Sequence, residues 1–173
     1  MPLDSDGDEE IDWHGTAVAG IVSAQGNNSL GISGVSYNSD LVGIRLIAET
    51  CNSAFTLDES ESYALNHRLD EVDIYVNSWG PADTGNLLGE IGPLALSALE
   101  EGVSEGRDGL GSVYLWAAGN GHQNGDNSNK DAYANSRYTI AVGAVNWKGE
   151  RTDYSESGSN VMLVAPSSNN TFQ

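Results

Sequence analysis

The segment Asp12-Trp13-His14-Gly15-Thr16-Ala17-Val18-Ala19-Gly20-Ile21 sets an imidazole ahead of a run of small residues at helical spacing. An imidazole titrates near neutral pH, so His14 at the first turn of a helix is suited to proton transfer. Ala17, Ala19, Gly20 and Ala24 would let that helix pass close to its neighbours. Acyl transfer needs two further things: a donor for the carbonyl oxygen and a seat for the substrate. Trp116-Ala117-Ala118-Gly119-Asn120-Gly121 offers the donor. Asn120, with a glycine on each side, can aim its amide at a developing oxyanion, an interaction worth roughly 3 kcal/mol. Asn77-Ser78-Trp79-Gly80-Pro81-Ala82-Asp83 offers the seat, because Gly80 admits a peptide backbone laid beside Ser78-Trp79-Gly80 as an added strand. Each segment also has a plainer reading: a capping histidine, a turn asparagine, a turn over a buried tryptophan.

Acids dominate the rest. Of 173 residues, 25 are Asp or Glu and 7 are Lys or Arg, for a net charge of -18. That repels phosphate, which excludes nucleic acid and anionic membrane as partners and favours metal ions or basic peptides. It also fits an adaptation for solubility or salt. Asp83, Asp126, Asp131, Glu156 and Glu61 are scattered along the chain and read, one by one, as solvated surface. Residues 3–12 alternate aspartates around Gly7, as an oxygen-rich calcium loop does, but lack a terminal carboxylate and a flanking helix pair. A single cysteine, Cys51, excludes an internal disulfide. No apolar run is long enough to cross a bilayer, and no signal peptide is visible after Met1.

The elements that must position these residues follow from periodicity. Helices are expected over 14–24, 57–69 and 93–105, the last from Leu96, Leu99 and Val103. Gln25 to Gly34 is turn-rich. Buried parallel strands are expected over 40–47, 73–77, 112–118 and 139–145, with a fifth over 161–165. Strands alternating with helices predict an α/β fold, a doubly wound parallel sheet with helices on both faces. No repeat or low-complexity linker marks a domain boundary. In such a sheet ligands gather at the carboxyl ends of the strands. The segments 77–83 and 117–120 each follow a strand, so both should open into one crevice.

In their order, the His-Gly-Thr-x-x-Ala-Gly segment at His14, Ser78-Trp79-Gly80-Pro81 and Ala118-Gly119-Asn120-Gly121 resemble subtilisin-like serine peptidases. The likeness is to the kexin and furin branch, the proprotein convertases, and runs from about Asp4 to about Ser168. It implies a calcium-dependent endopeptidase that cuts after basic residues, exported or acting in the secretory pathway. His14 is then the general base and Asn120 the oxyanion donor. Ser78, Trp79 and Gly80 pair with the substrate, and Asp83 and Asp131 line the pocket before the cut. Two carboxylates there would select a guanidinium. Glu61 matches an acid facing a basic residue further up the substrate, and Asp12 one beside it. Asp83, Asp126 and Glu156 match a calcium site beneath the pocket. Gln25, Asn28, Leu30 and Ile32 match a second calcium loop, with Asn28 giving its side-chain oxygen and the others their carbonyls.

The likeness has gaps. The branch's Asp-x-Gly segment would precede His14, and its Gly-Thr-Ser segment would follow the last residues; no Asp-x-Gly lies ahead of His14 and no Gly-Thr-Ser occurs in the 173. The chain therefore reads as a partial catalytic domain, 1–173, inactive by itself. Cysteines of animal convertases fall on Gly31, Ser128 and Gly158 here, which fits a disulfide-free microbial relative. Two other classes stand beside the enzyme: a non-catalytic relative that binds peptide or calcium, and an acidic calcium-binding structural domain.

Overall fold

The structure, a computed structural model, describes residues 13–47 and 57–168. Asp12, the acidic stretch 3–12 and Cys51 lie outside the described residues. The chain divides into two compact units at the Thr56/Leu57 junction.

The N-terminal unit begins with α1, Trp13–Ser23. The last carbonyls of a helix need partners from beyond it. Here the returning chain supplies them: Gly34 N donates to Ala24 O at 2.8 Å, Val35 N to Ile21 O at 3.0 Å and Ser36 N to Val22 O at 2.8 Å. Gly34 is the residue that allows this approach, since a Cβ there would stand 2.4 Å from Ala24 N. Residues 40–47 differ from expectation. They are apolar but form no strand, and Leu41, Val42 and Ile47 are exposed. An apolar run is strand only when a ladder takes up its N–H and C=O groups; among the described residues, the four-stranded ladder draws its strands from residues 74–166.

The second unit holds α2 (Leu57–Leu65), β1 (Ile74–Asn77), α3 (Pro93–Gly109), β2 (Val113–Ala117), β3 (Ile140–Val145) and β4 (Val161–Pro166). The strands lie side by side in sequence order, all parallel. This is the expected parallel α/β architecture. The N-terminus of α3 is capped from another helix: Asp58 of α2 accepts from Leu94 N at 3.1 Å and Ala95 N at 2.8 Å. That satisfies orphan donors and sets a negative charge at the positive helix end. α3 keeps helical dihedrals as far as Glu105; Gly106 turns extended, and Arg107 and Asp108 are left-handed. Arg107 is held there by its N–H on Leu69 O at 2.8 Å and its side chain on Asp73 at 2.8 Å.

The core joins α2 and α3 to one side of the sheet. Leu65, Leu99, Tyr75, Tyr114 and Trp116 are buried together. Tyr75 stacks on Tyr114 with centroids 4.7 Å apart, and Tyr114 OH donates to Leu65 O at 2.7 Å. Alternate residues of β1 face the other way, and Ile74 and Val76 are exposed; at the sheet edge the consecutive Met162, Leu163 and Val164 of β4 are all exposed. The apolar runs that predicted burial on both sides are therefore covered by the described helices of this unit on one.

Candidate functional site

β1 and β2 are neighbours in register, Asn77 against Trp116. Their carboxyl ends therefore release Ser78-Trp79-Gly80 and Gly119-Asn120 side by side. Between them lies a pocket of about 190 Å³, which Asp83 and Asp131 also line. Its floor is made by Trp79 and Trp116, with Tyr133 packed against both. Trp116 stacks on Tyr133 with centroids 4.4 Å apart, and Trp79 meets both rings edge-on. Trp116 Nε1 donates to Trp79 O at 2.8 Å, and Trp79 Nε1 to Asn77 Oδ1 at 3.2 Å. Both indole donors are satisfied, so the floor stays rigid at low polar cost.

The acids converge on the glycine turn after β2. A Cβ on Gly121 would stand 2.7 Å from Asp126 Cβ, 2.9 Å from Asp83 Cβ and 2.9 Å from Glu156 Oε1. Gly119, at φ +101°, leaves room for the Glu156 carboxylate, which a Cβ would meet at 2.4 Å. Backbone donors steer the acids: Gly121 N to Glu156 Oε1 at 2.9 Å, Asn120 N to Asp83 Oδ1 at 3.3 Å, Gly85 N to Asp126 Oδ2 at 2.8 Å and Asn127 N to Asp126 Oδ1 at 2.9 Å. Glu156, Asp126 and Asp131 are all buried.

Buried like charges oppose one another's ionisation. Burial, then repulsion from Asp126 and Asp83, pushes the Asp131 carboxyl up to about 6 against some relief from Lys130. Burial is also the largest cause for Glu156, which rises to about 7; the Gly121 N–H opposes that rise, while Asp131, Asp126 and Asp83 add to it. Glu156 Oε2 is buried with no hydrogen-bond partner. An orphaned carboxylate oxygen among like charges suits a hard cation. Among the described residues, no three acid or imidazole side chains stand in position to enclose one ion. Asp126 engages backbone donors with both oxygens, so a cation here would have to draw the acids inward.

Several contributors escape a reading of single residues. Lys130 donates to Gly85 O at 2.8 Å and stands 3.8 Å from Asp126 Oδ1; the four-residue spacing Asp126…Lys130 was the available signal. Tyr133 donates to the Glu61 carboxylate, tying α2 to the pocket floor. Burial and that bond push the Tyr133 hydroxyl well above its usual range. Asn120 lies at the pocket rim.

In the N-terminal unit, His14 lies in the first turn of α1 and is exposed. In the loop of Gln25, Asn28, Leu30 and Ile32, Asn28 Oδ1 accepts from Leu30 N at 2.9 Å. Asn27, Ser29 and Gly31 take positive φ at alternate positions. That winds the loop locally and leaves a second lone pair on Asn28 Oδ1.

Comparison with known proteins agrees with this frame. Residues 2–173 match the model of the subtilase family. Kexin of Saccharomyces cerevisiae is 45% identical over 158 residues, 91% of this chain and 19% of that protein. The proprotein convertase subtilisin/kexin type 6 of Homo sapiens is 40% identical over 155 residues, 90% of this chain and 16% of that protein. The chain thus spans about a fifth of the length of the curated relatives it matches. A solved protease from Pseudoalteromonas arctica superposes with a TM-score of 0.73 at 26% identity, covering 99% of this chain and 50% of that one. The chain belongs to the subtilase family of serine proteases, in its kexin and proprotein convertase branch.

Proposed function

We propose that this chain is the central part of a calcium-dependent endopeptidase that processes proteins by cutting after basic residues. The observation that carries the reading is the pocket between β1 and β2, walled by Asp83 and Asp131 and backed by Glu156 and Asp126. A buried acidic pocket over a flat aromatic floor suits a planar guanidinium, which can bond two carboxylate oxygens at once. Its charge would offset the burial, and the repulsion from Asp126 and Asp83, that now raise Asp131. The substrate backbone would lie along Ser78-Trp79-Gly80, and Glu61 would face a basic residue further up the peptide. His14 would take the proton of a serine nucleophile and return it to the leaving amine, while Asn120 stabilises the oxyanion.

Calcium would be held by Asp83, Asp126 and Glu156 beneath the pocket and by Gln25, Asn28, Leu30 and Ile32 in the other unit. It would neutralise the first set and stiffen both loops. The protein would work in the secretory pathway or outside the cell.

Peptides ending in arginine amide, lysine amide and glutamine amide, titrated into the 173-residue chain by NMR, test the pocket. Arginine should shift the Gly80, Gly119 and Asp131 amides, and Asp131→Asn should weaken it at least tenfold; equal response to glutamine would remove the reading. The 173 residues include no Gly-Thr-Ser segment, so this chain alone should not turn over a fluorogenic arginine peptide. Turnover lost in His14→Ala would contradict that. A second reading, a peptide- or calcium-binding relative that does not cut, keeps the pocket without catalysis. The longer reading frame separates the two, by the presence or absence of Asp-x-Gly and Gly-Thr-Ser.

A further inference from the structure

One side chain outside the pocket joins the loops that carry its acids. Asn160 lies just before β4, and its Nδ2 donates to Ser128 O at 3.1 Å, Ser128 Oγ at 2.9 Å and Ala134 O at 3.0 Å. Two protons serve three acceptors, so one is shared. The amide has one workable orientation: turned over, its oxygen would face the Ser128 and Ala134 carbonyls. As it stands, Oδ1 is buried with no partner, a state native structures seldom carry.

The acceptors sit at strategic places. Ser128 is fully buried within the turn between Asp126 and Asp131. Its N–H donates to Ser157 O at 3.1 Å, and its carbonyl also receives Asp131 N at 3.3 Å. Ala134 follows Tyr133, which packs against Trp79 and Trp116 of the pocket. Ser159 adds a second tie, donating to Asn129 Oδ1 at 2.8 Å. The three Asn160 side-chain bonds thus run to this turn and to the segment after it, and not to a strand. Space is matched to this amide: a Cβ on Gly158 would stand 2.2 Å from Asn160 Oδ1 and 3.1 Å from Ser128 Cβ.

We propose that Asn160 is a positioning residue: its carboxamide holds the Asp126–Asp131 turn against the Glu156 loop and so sets the spacing of these carboxylates. The cation readout below rests on the proposed calcium role of Asp83, Asp126 and Glu156. A residue behind the ligands governs metal affinity through their placement, typically by tenfold or more.

Calcium ions titrated calorimetrically into the 173-residue chain and its Asn160→Ala variant, with amide exchange on both, test this. Asn160→Ala should bind calcium about tenfold more weakly. Its Gly121 and Ser128 amides should exchange faster, while β2 and β3 amides keep their protection. Adding Ser128→Cys and Gly158→Cys to Asn160→Ala removes the amide that a Gly158 Cβ would strike and sets the two Cβ atoms 3.1 Å apart, which a small backbone shift opens to the span of a disulfide. The oxidised form should regain the parent affinity and the reduced form should not. Unchanged calcium affinity in Asn160→Ala overturns the proposal, as does loss of protection throughout β2 and β3 or a cross-link that restores nothing. If the parent chain takes up no calcium, the calcium role of the acids falls by itself. The tether then stands or falls on Gly121 exchange, and an unchanged rate there overturns it.

Discussion

The loop 25–32 and the acid cluster around Gly121 are both proposed to hold calcium, and they are built from opposite materials. The loop offers carbonyls and one amide oxygen, and it shapes itself through near neighbours: Asn28 with Leu30, and alternating left-handed residues. The cluster offers carboxylates from three separate stretches of chain, brought together by a strand end, a glycine turn and backbone donors. The loop carries no charge to offset. The cluster's burial and charge show in tightened carboxyl affinities for protons and an orphaned oxygen. A locally built site should fail locally, whereas a converged site should fail with the fold that gathers it.

The strongest break is Trp116→Ala. Trp116 is buried under Tyr133 and Trp79, and its loss should cost about 4 kcal/mol in urea unfolding. Near-UV circular dichroism should collapse with it. The same change should leave the loop's Asn28–Leu30 bond intact, seen as an unaltered Leu30 amide shift under native conditions.

Next come paired glycine changes. Gly121→Ala drives a Cβ into three acids and should cost about 2 kcal/mol through overpacking; the cluster's calcium response should vanish. Gly31→Ala meets nothing within 4 Å and only suffers φ +55°, a cost of about 1 kcal/mol. Equal costs would erase the proposed contrast.

Protons sharpen it further. Asp131 and Glu156 hold their protons more tightly when folded, near 6 and 7 against ordinary values of 3.8 and 4.5. Their ionisation therefore opposes folding fully above about pH 7, and the penalty fades as pH falls through 7 and 6 toward 4. Without calcium, urea stability should rise on acidification from about pH 8 to about pH 5, each tenfold tightening of proton binding contributing at most about 1.4 kcal/mol. Calcium should raise stability most at the alkaline end. Glu156→Gln should flatten the profile, adding about 1 kcal/mol at pH 8 without calcium while losing the calcium gain. The smallest effect is Asn28→Ala, about 0.5 kcal/mol from one exposed bond, with no change in pH profile. A pH profile altered by Asn28→Ala would mean the two regions are not built as described.

Much of this was legible beforehand where residues act through their neighbours. The three helices and four of the five strands fall where periodicity puts them, because helix and strand repeats are written into consecutive side chains. The glycines beside Asn120 and the Ser78-Trp79-Gly80 step mark strand ends for the same reason. The stretch 40–47 misled, since an apolar run records a wish to be covered and not the presence of a ladder partner. Asn160 and Lys130 were hard to read: a side chain whose partners lie in another loop leaves no motif in its own stretch of sequence.

The sequence by itself determined the family, the order of elements, the excess of acid and the turn chemistry of the loop 25–32. Only the tertiary structure decided that Asp83, Asp126 and Glu156 meet at one glycine turn, with Asp131 lining the pocket beside it. The physical reason is range. Backbone preference and periodicity act over a few residues, whereas burial and Coulomb repulsion depend on which distant groups folding brings within a few ångströms.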